Sequence, residues 1–309
     1  MTTPVRAVLP SRPLPWITAK TVLLLFYLYG GRLLSRLPPG LFNRVRPVAD
    51  VAFQILSSHR TNAIVEELTV AFPEVPRSKL LAVRREFASA SVRRALDDLL
   101  LERGRDKPNC TAFVGREHLD EALAAGRGVL LAGLHWQAGR VARRYLRNAG
   151  YPILSMRMER LPRLVTGRLG HDALVTRYAD FFRGLHDDEV FNTDRDRSLK
   201  MLARLRSNGI VSILMDGFVS EHCTDLPFMG RIRPFPAGIF YLARAAGCPI
   251  LPIFSRGGMQ AVEIEIGRPV PLDRSLPAEQ FWRVHLPALV TILENQVRAH
   301  PEEWTWTRL

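Results

Sequence analysis

Residues 128–140 read GVLLAGLHWQAGR, and the change of pattern inside this stretch decides the fold. Gly128 to Leu134 form a short, unbroken apolar run that follows the helical segment EHLDEALAAG. A run of this kind, closed by a polar loop, is the signature of a strand buried on both faces. Four more segments repeat the pattern: PILSM (Pro152 to Met156), GIVSILM (Gly209 to Met215), CPILPIF (Cys248 to Phe254) and AVEIEIG (Ala261 to Gly267). The third follows an amphipathic helix through Leu199, Leu202 and Leu205, and a final helix is expected from about Glu279 to Arg298. Helices alternating with short strands predict an α/β fold, a mostly parallel sheet flanked by helices. The strict alternation of AVEIEIG places that strand near a sheet edge with one wet face.

Upstream of residue 110 the alternation stops. Residues from about 15 to 105 read as helices, with apolar spacing at Val51, Phe53, Ile55 and Leu56 and a later segment from Ser78 to Arg103. Pro73 and Pro76 separate the helical stretches, and Gly104 to Pro108 closes the region. Thr21 to Tyr29 reads TVLLLFYLY, well short of the roughly 20 apolar residues that span a bilayer. No small-residue cleavage site marks it as a secretory signal. Trp16, Phe26, Tyr27 and Tyr29, beside Arg32 and Arg36, suit a helix lying among lipid headgroups, with a core-packing helix as the alternative. The expected organisation is an N-terminal helical, membrane-associating region over residues 1–105 and an α/β region over 106–309, read as one continuous fold.

The formal net charge is +13, and all but four of the 43 basic residues are arginine. A guanidinium fork matches phosphate and carboxylate geometry, so anionic partners follow: a phospholipid surface, a phosphorylated substrate or an acidic carrier protein. Nucleic acid would also suit the charge, but no helix-turn-helix, zinc or base-stacking motif accompanies it. A GC-rich genome is the other source of such an arginine excess. Cys110, Cys223 and Cys248 are odd in number and widely spaced, which implies neither a disulfide framework nor a zinc site and fits a reducing compartment. Cys248 follows a glycine at the start of a predicted strand and is expected to be buried.

Ligands of such sheets sit beyond the carboxyl ends of the strands. His135 follows the first strong strand, between Gly133 and Gly139, where an imidazole can act as a general base near neutrality. Asp216 ends the third predicted strand, and Arg157 ends the second. Beyond Asp216, Phe228, Gly230, Arg231 and Arg233 lead through Pro234 and Pro236 into a helix near Ala237. The two arginines and that helix start are candidates for phosphate binding, against the plainer reading of a surface loop with solvated charges. Asn192 and Arg195 are weaker candidates, and Trp304 and Trp306 read on their own as core anchors.

In this order the blocks AFPEVP (Ala71 to Pro76), GVLLAGLH, SMR (Ser155 to Arg157), the stretch from LRSNG (Leu205 to Gly209) to Asp216, FMG (Phe228 to Gly230), RPFPAG (Arg233 to Gly238), LARAAGCPILP (Leu242 to Pro252) and PEEWTW (Pro301 to Trp306) resemble a known family. It is the bacterial lipid A biosynthesis lauroyl/myristoyl acyltransferases, of the lysophospholipid acyltransferase superfamily. The resemblance covers roughly residues 40 to 309.

The resemblance implies acyl transfer from an acyl carrier protein or coenzyme A thioester to a lipid hydroxyl or amine, at the cytoplasmic face of the bacterial inner membrane. The implied partners are an anionic membrane surface, a lipid acceptor and an acyl carrier protein. No bound cofactor or metal is expected beyond the thioester co-substrate. The family's general base is the histidine of an HxxxxD or HxxxxE motif, and it matches His135. The carboxylate of that motif falls on position 140, where this chain has Arg140. Three readings follow. Another carboxylate, Asp216 first, reaches His135; or His135 acts alone on a more reactive acceptor; or the fold persists as a non-catalytic lipid-binding or regulatory homologue. Arg157, Phe228, Gly230, Arg231 and Arg233 are the expected substrate contacts.

Overall fold

The computed structural model describes residues 64–102, 107–157, 189–191, 194–217 and 223–306, with isolated positions before residue 64. The expected interfacial segment from Thr21 to Tyr29 lies outside the described residues except for Tyr29. Among the described residues, no helix is long and apolar enough to cross a membrane.

Val129, Leu130, Leu131 and Ala132 are all fully buried, yet they belong alternately to two different cores. Val129 and Leu131 join the cluster on one face of the sheet, Leu130 and Ala132 the cluster on the other. Side chains of a strand point to opposite faces with a period of two, so an unbroken apolar run requires a cover on both sides. Burying each such leucine contributes about 1.5–3 kcal/mol before conformational entropy is set against it.

These residues form β2 (Val129–Gly133), the centre of a seven-stranded sheet. The other strands are β1 (Cys110–Val114), β3 (Ile153–Arg157), β4 (Glu189–Phe191), β5 (Ile210–Leu214), β8 (Ile250–Gly258) and β9 (Ala261–Ile266). Their spatial order is β1-β9-β8-β2-β5-β3-β4. Every pairing is parallel except β8 with β9, so the mostly parallel sheet expected from the sequence is present. β9 lies one strand in from the edge, and the outermost position is taken by β1, which the sequence reading had not separated from its surroundings.

Two helices cover one face: α2 (Arg116–Ala124) supplies Leu119 and Ala122, and α3 (Gly139–Asn148) supplies Val141, Ala142 and Leu146. The opposite face is covered by α4 (Arg197–Arg206), α5 (Gly238–Ala246) and α6 (Ala278–Ala299), through residues such as Leu205, Phe240 and Leu289. The long α1 (Arg77–Glu102) starts directly after Pro76, whose carbonyl accepts from the amides of Lys79 and Leu80. It gives Leu80 and Phe87 to one core and Leu101 to the other. A shorter helix over residues 64–71 precedes it.

The stretch expected as a loop after the third predicted strand is instead an antiparallel ribbon, β6 (Cys223–Phe228) with β7 (Arg231–Pro236). Met229 and Gly230 make its turn with positive φ, 53° and 73°. A side chain on Gly230 would place its Cβ 2.5 Å from the Val70 carbonyl oxygen, so glycine is needed both for the turn and for the close approach of the helix over residues 64–71. The cysteines are free thiols; Cys248 is fully buried, as expected, and burial pushes its thiol up to about 11.

Candidate active site

β2 and β5 run side by side in parallel without offset, Gly133 opposite Leu214. The chain leaves each strand the same way, and the Met215 amide still donates to the Gly133 carbonyl, at 2.8 Å. His135 and Asp216 are each two residues past these partners, so sheet register alone brings them together. In doubly wound sheets ligands are held beyond the carboxyl ends of the strands, the level at which these two residues stand.

The contact is double. His135 Nδ1 lies 2.7 Å from Asp216 Oδ1, and the His135 backbone amide donates to Asp216 Oδ2 at 3.1 Å. Trp304 Nε1 donates to the same Oδ2 at 3.0 Å. Burial alone would push the Asp216 carboxyl up; the His135 charge and these hydrogen bonds outweigh it and hold the group at about 2. Asp216 is therefore a carboxylate at neutral pH and can only accept. The hydrogen of a neutral imidazole must then sit on Nδ1, so that Nε2 carries the ring's lone pair. The His135 side chain keeps 22% of its surface accessible, against 8% for Asp216.

The loop carrying His135 is tied from two directions. Thr305 donates its amide to the His135 carbonyl at 2.9 Å, Gln137 donates its amide to the Glu303 carbonyl at 2.7 Å, and Trp136 pairs with Trp304. From α1, the Ser91 hydroxyl accepts from Gln137 Nε2 at 3.0 Å. Arg93 holds Glu303 at 2.8 Å and also donates to the Gly257 carbonyl. Burial raises the Glu303 pKa, opposed by Arg93.

Arg140 occupies the first turn of α3, and its Nη1 meets Asp98 of α1 at 3.2 Å. A cation at a helix N-terminus opposes the helix dipole, and the buried Asp98 carboxylate offsets that cost. Arg140 thus serves a tie between α3 and α1, and the carboxylate on His135 comes from Asp216.

Of the other expected residues, Arg231 and Arg233 both turn to Glu67, at 2.8 and 3.3 Å. Arg233 is the more enclosed of the two; its guanidinium stands 5.8 Å from the Trp304 ring centre, and burial lowers its pKa against the pull of Glu67 and Asp216. Phe228 is fully buried, edge-on to Phe235 and Trp304, so it shapes the site from within the core and offers no surface to an acyl chain. Gly230 serves the ribbon turn. Arg157 ends β3 opposite Phe191 of β4. Asn192 lies outside the described residues, and Arg195 is exposed beside α4. Among the described residues, no group of three His, Cys, Asp or Glu side chains is placed to hold a metal ion.

Sequence reasoning missed Glu67, Asp98 and the donor role of Trp304. A signal for Asp98 was present in ALDDLLLE (Ala95 to Glu102), where two carboxylates interrupt an apolar helix face and need cationic partners.

A mostly parallel sheet covered on both faces, with a carboxylate-held histidine beyond its central strands, defines an α/β protein with a pair suited to proton transfer at the sheet's end. Residues 19–308 match the family described as bacterial lipid A biosynthesis acyltransferase, and the chain belongs to that family. Membership supports an acyltransferase of lipid A-type acylation. No curated protein matched the chain.

Proposed function

We propose that the protein is a membrane-associated acyltransferase that moves an acyl chain from an acyl carrier protein or coenzyme A thioester to the hydroxyl or amine of a lipid. The reaction would run at the cytoplasmic face of the bacterial inner membrane. The observation that carries this reading is the 2.7 Å contact between His135 Nδ1 and Asp216 Oδ1, which supplies the missing motif carboxylate from another strand end.

His135 Nε2 takes the proton from the acceptor as the acceptor's oxygen or nitrogen bonds to the thioester carbonyl carbon. The carbonyl opens to a tetrahedral oxyanion. On collapse the C=O re-forms, the C–S bond breaks, and the leaving sulfur takes the proton back from Nε2. Asp216 holds the ring in one tautomer and balances the imidazolium between the two transfers. Arg157, Arg231 and Arg233 are the proposed phosphate contacts. At Arg231 and Arg233 a substrate phosphate would compete with Glu67, which makes these sites exchangeable ion pairs. Arg233→Ala that leaves affinity for a phosphorylated lipid unchanged would remove that role.

A second reading, a non-catalytic lipid-binding homologue, is favoured by one observation, the arginine at position 140. The separating experiment offers acyl-carrier-protein and coenzyme A thioesters with membrane lipid extracts to wild type and His135→Ala, products being read by mass spectrometry. Transfer that disappears with His135 supports the enzyme. Vesicle binding without any transfer selects the second reading.

A further inference from the structure

We propose that Trp304 is a positioning residue: its indole N–H fixes the rotamer of Asp216 and, through it, the tautomer of His135. The catalytic importance of this device rests on the acyltransferase reading; the device itself does not.

Asp216 must hold His135 with two different atoms at once. Oδ1 faces the ring nitrogen and Oδ2 faces the His135 backbone amide. A carboxylate can rotate about its last torsion, and that torsion is broad, so two contacts from one neighbour do not define it sharply. The indole N–H supplies a third, independent donor from a distant part of the chain, aimed at Oδ2 at 3.0 Å. It also occupies Oδ2, so the ring nitrogen is left with Oδ1.

The tryptophan is itself held on every side. It is 3% exposed, with Phe228 edge-on at 5.4 Å, Trp306 at 4.7 Å and the Arg233 guanidinium at 5.8 Å. Its backbone pairs with Trp136, the residue after His135, so the segment that supplies the donor is registered on the loop that carries the base. The neighbouring Glu303 is clamped to α1 by Arg93. Trp306 points its own N–H elsewhere, to the Pro301 carbonyl at 2.7 Å. The two tryptophans of this segment therefore have separable roles, one directed at Asp216 and one at the local backbone.

The test uses the full-length protein with nitrogen-15 labelled histidine. Trp304→Phe keeps an aromatic ring among Phe228 and Trp306 but removes the N–H; Trp306→Phe is the packing control. The imidazole nitrogen shifts of His135, assigned by its loss in His135→Ala, report the tautomer at a pH where the ring is neutral. The expected result is a single Nδ1–H tautomer in wild type and Trp306→Phe, and a mixture in Trp304→Phe. Where transfer activity is measurable, Trp304→Phe should lower kcat by roughly tenfold or more with both KM values little changed. The same substitution on an Asp216→Asn background should then add almost nothing, since both remove one device. An unchanged tautomer in Trp304→Phe, or the same mixing in Trp306→Phe, overturns the proposal. Absence of transfer in wild type would count against the acyltransferase reading alone, because the tautomer is read without turnover.

Discussion

Asp216 grips His135 at two points, 2.7 Å from the ring and 3.1 Å from the backbone amide, although the two residues are separated by 81 positions in the chain. The grip fixes both where the imidazole stands and which nitrogen carries its hydrogen. Removing only its charge is the sharpest probe. Asp216→Asn should lower kcat by a factor on the order of 10³ to 10⁴, the scale seen when the analogous carboxylate of a serine-protease triad is made neutral. Steady-state acyl transfer checks this, and KM for the lipid should stay within a few fold.

The same carboxylate makes stability depend on pH. Its folded pKa, about 2, lies below the ordinary 3.8, so its stabilisation is complete above pH 4. It is lost as pH falls from about 4 through about 2, because the unfolded state then binds the proton more readily. The advantage of wild type over Asp216→Asn should shrink by on the order of 2 kcal/mol across that interval. Urea unfolding at stepped pH measures the difference.

Arg140→Glu restores the letter of the HxxxxE pattern and should not improve the protein. It places a second carboxylate against Asp98, whose oxygen now meets Arg140 at 3.2 Å. The expected cost is about 1–3 kcal/mol, below the full value for a broken buried pair because Arg140 is partly solvated. Adding Asp98→Arg should recover much of that loss, and a denaturant series on wild type and the two variants reads both effects.

Gly230→Ala tests the seat of the hairpin on the helix over residues 64–71. With φ at 73° and Val70 O 2.5 Å from the added carbon, either the turn or the helix must move. A loss of about 2 kcal/mol or more is expected, seen as a fall in Tm.

The sheet was legible because its central strands are buried on both faces and so appear as apolar runs, as in Gly128 to Leu134 and Gly209 to Met215. Asp216 was legible for the same reason, since it stands where such a run stops. The β6–β7 ribbon was not legible. Pro227, Pro234 and Pro236 interrupt any strand pattern, and a two-stranded ribbon outside the main sheet tolerates them. The pairing of Arg140 with Asp98, and of Arg231 and Arg233 with Glu67, is invisible to local pattern. Each joins segments far apart in sequence, and a charge shows the need for a partner without naming it.

The level ends of β2 and β5 carry one more consequence. Because two adjoining strands deliver the histidine and its carboxylate, neither depends on the helix that begins at Gly139, and the residue five places after the histidine is left to pair with Asp98 of α1. A survey that retires homologues on the strength of that one position would discard proteins in which a histidine–carboxylate pair is intact.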